Sequence, residues 1–237
     1  FNPRKAFGTA TPKDHIYNTP RAWYMQRYLN PSEDWDSPAA RYTPASDDIP
    51  WCRVPENAVT LEDVDFLMSA HFEGTPYDPY AKSGDGLQKG KYRAIGINRN
   101  DFLSLIQMRP DQPEDVSVIQ WIAFASNAFN VLVPFYADID ETPDYLCNTT
   151  GEVSTDNFYW SGRMIAAMAD ASYRSSVFHI ERYKEHVLAK GHELINRYDA
   201  LLSQETDAAK RKEIRHEANR AVAGMLKLSL IHISEPT

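Results

Sequence analysis

Apolar residues recur at helical intervals in several long segments of the chain. In an α-helix, residues three and four positions apart share a face, so this spacing predicts helices with one apolar side. The predicted helices cover residues 17–29, 60–71, 156–171, 176–204 and 205–227. The expected N-terminal caps are Asn18 or Thr19, Thr60 in a capping box with Asp63, and Ser154 or Thr155.

The middle of the chain has the composition of β-strands instead. Four segments are predicted to be strands, at 92–99, 102–109, 116–126 and 130–139. Asn100-Asp101 is expected to form a hairpin turn between the first two. The third segment is nearly all apolar, which is typical of a strand covered on both faces. Pro134 indicates an edge or a bulge in the fourth. Strands flanked by helices predict an α+β fold.

Two stretches show neither the helical spacing nor the pattern of a β-strand. Residues 30–58 contain five prolines and are predicted to be a long irregular loop. Residues 71–80, HFEGTPYDPY, combine aromatic rings, two carboxylates, two prolines and a glycine. His71, Glu73 and Asp78 in this stretch could form an acid–base or metal-binding group. The competing interpretation is a rigid loop, in which the prolines restrict the backbone and the tyrosine rings pack.

Composition and charge exclude some classes of function. The chain has 237 residues, 43% of them apolar, and a net charge of -8. An acidic surface argues against nucleic acid as a partner, because binding to the phosphate backbone needs clustered Lys and Arg. No apolar run reaches the length of a membrane span, so no membrane association is expected.

The cysteines and histidines do not form a cofactor motif. Cys52 and Cys147 have no Cys or His at metal-ligand spacing, and His186 and His192 are six residues apart, which does not suit one helical face. No phosphate-binding P-loop and no G-x-S-x-G motif is present. We therefore expect neither a metal nor an organic cofactor.

Six stretches in register resemble one known family. They are FNPRKAFG, YNTPRAWY, HFEGTPYDPY, YRAIGINRN, VIQWIAFASNAFNVLVPFYADIDETP and STDNFYWSGRMIAAMAD, which lie within residues 1–173. The family is that of the bacterial cysteine-type dipeptidases with an N-terminal nucleophile, to which the secernins are related. The resemblance implies an N-terminal-nucleophile hydrolase fold, an αββα four-layer sandwich, and hydrolysis of dipeptides. It also implies a cysteine exposed as the first residue of the mature chain, with its own α-amino group as the base.

That cysteine has no counterpart in this sequence. Neither Cys52 nor Cys147 can be an N-terminal residue. We therefore expect the chain to be a C-terminal part of the enzyme that is inactive by itself. Residues 1–175 are expected to belong to the hydrolase domain, and 176–227 to form a helical extension. Residues 228–237, LSLIHISEPT, resemble a translated sequencing adapter and are expected to be non-native.

The resemblance also suggests residue roles. Arg21, in YNTPRAWY, resembles an arginine that lies near the nucleophile in the related choloylglycine-hydrolase group, where it would support the thiolate or its amine. His71, Glu73, Tyr77 and Asp78 are the candidate substrate-binding residues, since an aromatic loop with acids could close one end of the site and meet a dipeptide's ammonium group. The alternative is that this loop only joins helix to sheet.

Other functions remain open at this point. One is a related amidase of the same fold, of the bile-salt or penicillin acylase type, which would need a larger apolar pocket. Another is a non-catalytic, secernin-like protein that acts by binding partners. Separately, the helical segment 176–227 could mediate assembly into a homo-oligomer, and the alternative is a solvated helix packed on the catalytic core. For the dipeptidase we expect a cytoplasmic location, with a secreted form as the alternative.

Overall fold

The computed structural model describes residues 1–82 and 86–234, and the side chains as far as residue 229. The chain divides into two compact units, Phe1–Ile97 and Asn98–Thr237. The mixture of helices with a small antiparallel sheet, 45% of the chain being helical, confirms the α+β class.

The first unit contains short helices joined by long irregular segments. The helices are α1 (Pro3–Phe7), α2 (Asp14–Tyr17), α3 (Thr19–Leu29) and α4 (Leu61–Ser69). The capping box of α4 is confirmed, since the amide of Asp63 donates to Thr60 Oγ1 (3.1 Å) and that of Thr60 to Asp63 Oδ2 (2.8 Å). The N-cap residue of α3 is Asn18, one of the two expected residues, and Thr19 is the first helical residue. The side chain of Asn18 does not cap the helix, because its amide donates to Asp14 Oδ1 (2.5 Å) instead.

An aromatic core fills this first unit. Its buried members come from α3, α4 and the irregular segments, and they are Trp23, Tyr24, Trp35, Tyr42, Ile49, Leu67, Ala70, Phe72 and Tyr92. Side chains in this unit also bond to main-chain groups: Trp35 Nε1 donates to the carbonyl of the nearby Asn30 (2.9 Å), and Arg4 Nη1 to that of Ile49, which is distant in sequence (3.0 Å). Burial of rings therefore orders a segment that lacks regular hydrogen bonding.

The strand predicted at 92–99 is wrong, and so is the hairpin turn at Asn100-Asp101. This segment is irregular in the structure, and its amides bond to other parts of the unit. The amide of Gly96 donates to the carbonyl of Ala70 (2.8 Å), at the end of α4, and the amide of Arg93 donates to that of Ile16 (2.9 Å). The apolar residues of this segment pack on the aromatic core rather than on a sheet.

The second unit is built on a three-stranded antiparallel sheet. Its strands are β1 (Phe102–Met108), β2 (Val118–Phe124) and β3 (Val133–Tyr136), in the order β1-β2-β3. The register pairs Phe102 with Phe124 and Ile119 with Tyr136. Pro134 lies in β3, on an edge of the described sheet, which confirms that prediction.

Burial differs from strand to strand: β3 is buried on both faces, β2 is buried on one face and part-buried on the other, and β1 has one part-buried and one exposed face. In β2 the residues Ile119, Trp121 and Ala123 are buried, whereas their neighbours are only partly so. The second face of β2 is part-buried, so the expectation of a strand covered on both faces is met only in part. On β1 the outward residues Phe102, Ile106 and Met108 are 50%, 64% and 78% exposed.

Among the described residues, a 3₁₀ helix (Glu114–Val116) and four α-helices complete the second unit: α5 (Asp144–Cys147), α6 (Phe158–Ala171), α7 (Tyr173–Leu202) and α8 (Ala208–Ser234). The cap of α6 is Asn157, whose Oδ1 accepts from the amide of Trp160 (2.9 Å), and not Ser154 or Thr155. Helix α8 continues beyond residue 227, and of the segment 228–237 the last three residues lie outside the described part.

Helices α7 and α8 pack directly on β3. Gly191 of α7 lies so close to Pro134 that a Cβ at residue 191 would be 2.8 Å from the proline Cδ. On α8, Asn219 Oδ1 accepts from the amide of Tyr136 (2.9 Å), and its Nδ2 donates to the carbonyl of the same residue (3.1 Å). This side chain takes the place of a neighbouring strand at the sheet edge.

Candidate functional site

The candidate site lies in the first unit, where α4 ends. The last helical residue is Ser69, and the side chain of His71 follows it into a buried position between two carboxylates. His71 Nδ1 is 2.9 Å from Asp78 Oδ1, and Nε2 is 3.1 Å from Glu73 Oε1. We call His71, Glu73 and Asp78 the acidic-histidine cluster. The structure thus brings together three of the predicted site residues.

The backbone of residues 71–80 turns tightly enough to return both carboxylates to the histidine. Phe72 and Gly74 have φ angles of 70° and 72°, in the left-handed region. The amide of Thr75 donates to the carbonyl of Phe72 (3.1 Å), and the amide of Tyr80 donates to Asp78 Oδ1 (2.8 Å). Phe72 holds this unfavourable conformation while its ring lies buried in the aromatic core, so packing there maintains the turn.

Glu73 has two further partners that fix its position. Its Oε2 accepts from the amide of His71 (2.9 Å) and from the hydroxyl of Tyr24 (3.1 Å), which lies on α3. Burial, followed by the neighbouring Glu73 carboxylate, raises the pKa of Tyr24 far above its ordinary value. Tyr24 is therefore a hydrogen-bond donor at any physiological pH.

The cluster has a simple charge balance. A carboxylate only accepts hydrogen bonds, so an imidazole between two of them donates from both nitrogens when it carries its second proton. With two carboxyl groups and one imidazole, the cluster is acidic in composition. The side chain of Glu73 is 33% exposed and that of Asp78 is 13% exposed, so Glu73 is the more accessible carboxylate. The arrangement suits contact with a cationic group.

Tyr77 occupies a different environment from the acidic-histidine cluster. Its ring lies 4.7 Å from that of Tyr92 and 6.1 Å from that of Trp23, so it borders the aromatic core. Burial raises the pKa of Tyr77. Tyr77, a predicted binding residue, is thus packed against other aromatic rings.

Arg21 lies on the first turn of α3 and is partly exposed. Its Nε donates to the carbonyl of Arg93 (3.0 Å), and its guanidinium lies 5.9 Å from the ring centroid of Tyr17. The contacts that are resolved for Arg21 tie α3 to the irregular segment 92–97. They involve other residues than those that surround His71.

Sequence reasoning missed Tyr24 as a member of the site. This residue is 49 positions from Glu73, and no local spacing links them. Its position directly after Trp23, on the helix that carries Arg21, was the only available signal. The aromatic partner Tyr80, whose ring is 4.9 Å from that of His71, lies in the quoted stretch but had no predicted role.

Cys52 and Cys147 are both exposed free thiols. Among the side chains that the structure describes, within residues 1–82 and 86–229, no group of three or more His, Cys, Asp or Glu could hold a metal ion. In the same part of the chain, no helix is both long and apolar enough to cross a lipid bilayer.

Comparison with known proteins defines the class. The sequence model of Peptidase family C69 matches residues 1–186, and the chain belongs to this family. A dipeptidase of Bifidobacterium longum (strain NCC 2705) is 50% identical over 205 residues, which cover 86% of this chain and 38% of the relative.

Other relatives carry similar names. A probable dipeptidase A of Streptococcus pyogenes serotype M18 is 44% identical over 207 residues, covering 87% of this chain and 42% of the relative. A probable dipeptidase B of Lactococcus lactis subsp. lactis is 37% identical over 200 residues, covering 84% of this chain and 40% of the relative. The chain thus spans about two fifths of the length of the curated relatives that it matches.

Proposed function

We propose that the protein is a dipeptidase that hydrolyses the peptide bond of dipeptides through a cysteine nucleophile. The family match and the names of the relatives support the reaction class. The observation within the chain that carries the proposal is the acidic-histidine cluster, which provides negative charge beside a stiff aromatic loop. A free dipeptide has an ammonium group at one end, and such a group is the natural partner of this charge.

The chemistry requires a nucleophile that the described residues do not provide. We place it on a cysteine in the remaining part of the polypeptide. Its thiolate attacks the carbonyl carbon, the amine product leaves after receiving a proton, and water then releases the acyl group from sulfur. An α-amino group of pKa about 8 is a suitable base near neutral pH. The chain described above contributes substrate binding rather than the reacting atom.

Within this proposal the residues have separate roles. Glu73, the more exposed carboxylate, contacts the ammonium group of the substrate, while His71 and Asp78 hold Glu73 in place. Tyr77 supports the loop through its contacts with the aromatic core. Arg21 stabilises the cysteine thiolate or its amine by charge. The resemblance to the choloylglycine-hydrolase group is the support for the role of Arg21.

We extend the proposal to the fold of the whole enzyme, an αββα four-layer sandwich. Its support is the exposed face of strand β1 in the second unit, which displays Phe102, Ile106 and Met108. Exposed apolar side chains in a row on a sheet are typical of a surface that another layer covers. Residues 1–175 would belong to the hydrolase domain, 176–227 to a helical extension, and 228–237 to a non-native end.

The location and assembly state are further parts of the proposal. Exposed free thiols are typical of proteins from a reducing compartment, which favours the cytoplasm. Cell fractionation tests this placement. The complete enzyme could form a homo-oligomer, and light scattering of the purified protein tests this.

The decisive experiment starts with the gene. The reading frame should be recovered on both sides of this sequence, and the longest product should be assayed against alanyl-alanine. We expect a cysteine that becomes N-terminal after processing, and activity that is lost when it is replaced by Ala. Absence of such a cysteine, or a preference for N-acyl substrates without an ammonium group, would overturn the proposal.

A matched pair of variants tests the role of the cluster. Glu73→Gln removes the charge but keeps the shape, and we expect it to raise KM for alanyl-alanine about tenfold with little effect on kcat, since it weakens a charged hydrogen bond. Glu62→Gln, on the exposed first turn of α4, is the control. Equal KM values in both variants would remove Glu73 from the binding site.

A further inference from the structure

The two side-chain oxygens of Glu73 have different surroundings. Oε2 accepts from the amide of His71 (2.9 Å) and from the hydroxyl of Tyr24 (3.1 Å). Oε1 faces the His71 ring instead, with Nε2 at 3.1 Å. The side chain of Glu73 is 33% exposed, so a ligand can reach it from solvent. An incoming N–H group is best received at Oε1, because Oε2 already has two donors, and it then enters the space beside Nε2.

The other nitrogen of the imidazole is held from the opposite side. His71 Nδ1 is 2.9 Å from Asp78 Oδ1, and this oxygen also accepts from the amide of Tyr80 (2.8 Å). The side chain of Asp78 is only 13% exposed, so this contact is more buried than the one with Glu73. Because an ionised carboxylate only accepts, Asp78 stabilises a proton on Nδ1, and the second proton of the imidazolium is the one on Nε2.

Among the described residues, titratable groups face His71 from its own segment and from α3. Beside the two carboxylates, the ring of Tyr80 lies 4.9 Å from the imidazole. From α3 the hydroxyl of Tyr24 reaches Glu73, and burial keeps the pKa of Tyr24 far above its ordinary value, so it stays protonated. Histidine is the side-chain type that changes charge between about pH 5 and 8, so we assign proton exchange in this set to His71.

We propose that the ammonium group of the substrate and the second proton of His71 compete for Glu73, so that binding of the ammonium group releases this proton. In the free site the proton is on Nε2 and faces Glu73 Oε1. In the complex an N–H of the ammonium group donates to Oε1, the imidazole is neutral, and the proton has passed to water or buffer. One positive charge thus replaces another. The inference rests on the proposed dipeptidase function for the identity of the cation.

The competition makes the affinity for a cation depend on pH. While His71 carries its second proton, release of one proton on binding raises the affinity by up to about tenfold for each pH unit. At higher pH the imidazole is already neutral, and the affinity reaches a plateau. The site would therefore hold an ammonium group weakly in acid and firmly near neutral pH.

Binding should be measured with a cation that is not a substrate. The probe is ethylammonium chloride, a primary ammonium salt that stays protonated over the whole range and has no peptide bond. The readout is the NMR signal of the His71 Cε1 proton in the full chain at about pH 6, with sodium chloride keeping the ionic strength constant. We expect the signal to move toward the position of a neutral imidazole. The affinity should rise from about pH 5.5 to about pH 7.5.

His15 provides a matched control in the same unit. Its Nε2 is 2.9 Å from Asp47 Oδ1, but the two side chains are 34% and 55% exposed. An exposed ion pair is weak because water solvates both groups, so ethylammonium should leave the His15 signal unchanged. In Glu73→Gln the response of His71 should disappear, since a neutral amide does not attract the cation.

Three results would overturn the inference. Ethylammonium could move the His71 signal no more than that of His15, or bind with the same affinity at about pH 5.5 and pH 7.5. Both of these come from the wild-type chain, so they decide the matter even if the variant does not fold. An equal response of His71 in a folded Glu73→Gln would place the competing cation elsewhere.

The outcomes also separate this inference from the proposed function. A coupled response of His71 in a protein whose complete form hydrolyses no dipeptide would retain the competition and reject the dipeptidase. Hydrolysis of alanyl-alanine by the complete enzyme, with no response of His71 to the cation, would retain the dipeptidase and reject the competition.

Discussion

The two units of the chain reach a stable structure by different means. In Phe1–Ile97 the described residues form helices of at most 11 residues and no strand, and aromatic rings and side-chain bonds to distant carbonyls order the segments between them. In Asn98–Thr237 a hydrogen-bonded sheet packs against helices of 30 and 27 residues. The first arrangement makes irregular loops rigid enough to carry a site, and the second provides a regular scaffold.

This comparison predicts that the first unit is the more sensitive to loss of a single ring. Phe72 is 1% exposed, lies 5.6 Å from the ring of Tyr24, and keeps its backbone in the left-handed region. We expect Phe72→Ala to cost about 4 kcal/mol, because it leaves a cavity in the aromatic core. Urea unfolding followed by tryptophan fluorescence measures this. Phe178 is exposed, so Phe178→Ala is the control. If the two variants lost the same free energy of unfolding, the proposed role of the aromatic core would be contradicted.

A second test concerns the close approach of residue 96 to the end of α4. A Cβ on Gly96 would lie 2.1 Å from the carbonyl oxygen of Ser69, so the backbone has to move. We expect Gly96→Ala to destabilise the first unit by about 3 kcal/mol through this overlap. The variant should also change the position of His71, which follows Ser69 by two residues.

The control is Gly224→Ala on α8, where nothing lies within 4 Å of the added methyl group. This variant should raise stability by up to about 1 kcal/mol, the helix preference of Ala over Gly. Thermal unfolding of both variants gives the comparison. Equal effects would show that close packing at residue 96 does not order the first unit.

The edge of the sheet offers a third test, in the second unit. Asn219→Leu removes both hydrogen bonds to the main chain of Tyr136. We expect a loss of about 2 kcal/mol, since a buried amide and carbonyl lose their partners. Hydrogen exchange should show faster exchange of the Tyr136 amide in the variant. Unchanged protection of this amide would mean that Asn219 does not complete the sheet edge.

The smallest predicted effect is electrostatic. Hydrogen bonds and charge from Arg211, with charge from Arg215, lower the pKa of Asp115 below its ordinary value. A lowered folded-state pKa stabilises the protein above the unfolded-state value near 4, and this contribution is lost as the pH falls through the folded-state pKa.

Asp115→Asn should therefore cost about 1 kcal/mol at pH 7, and the difference from wild type should shrink as the pH falls below 4. Urea midpoints measured between pH 7 and pH 3 give the result. Hydrogen bonds from threonines and Asn18 lower the pKa of Asp14 in the first unit in a similar way, so Asp14→Asn should follow the same pH dependence. A pH-independent difference would exclude the ionised carboxylate as the source of stability in either unit.

The sequence predicted local features well wherever a short pattern decides them. Helical periodicity located α3, α4, α6, α7 and α8, and the capping box at Thr60 and Asp63 is present as expected. The strands β1 and β2 lie within their predicted segments. These features depend on residues within one turn or one strand, so their physical cause is contained in the local sequence.

The errors arose where a distant partner decides the structure. Residues 92–99 have strand-like composition but bond to the carbonyls of Ile16 and Ala70. The cap of α6 is Asn157, because its Oδ1 meets the amide of Trp160. The apolar composition of β2 predicted two covered faces, and a segment's composition does not say how many layers lie beside it.

By itself the sequence determined the α+β class, the long helices and the family, since each depends on periodicity or on short motifs in register. It also placed His71, Glu73 and Asp78 in one short stretch. Only the tertiary structure decided that both carboxylates meet the imidazole and that Tyr24, 49 residues away, joins them. The reason is that a left-handed turn at Phe72, held by the packing of its ring, sets the direction of these side chains, and packing between distant segments is not contained in local sequence.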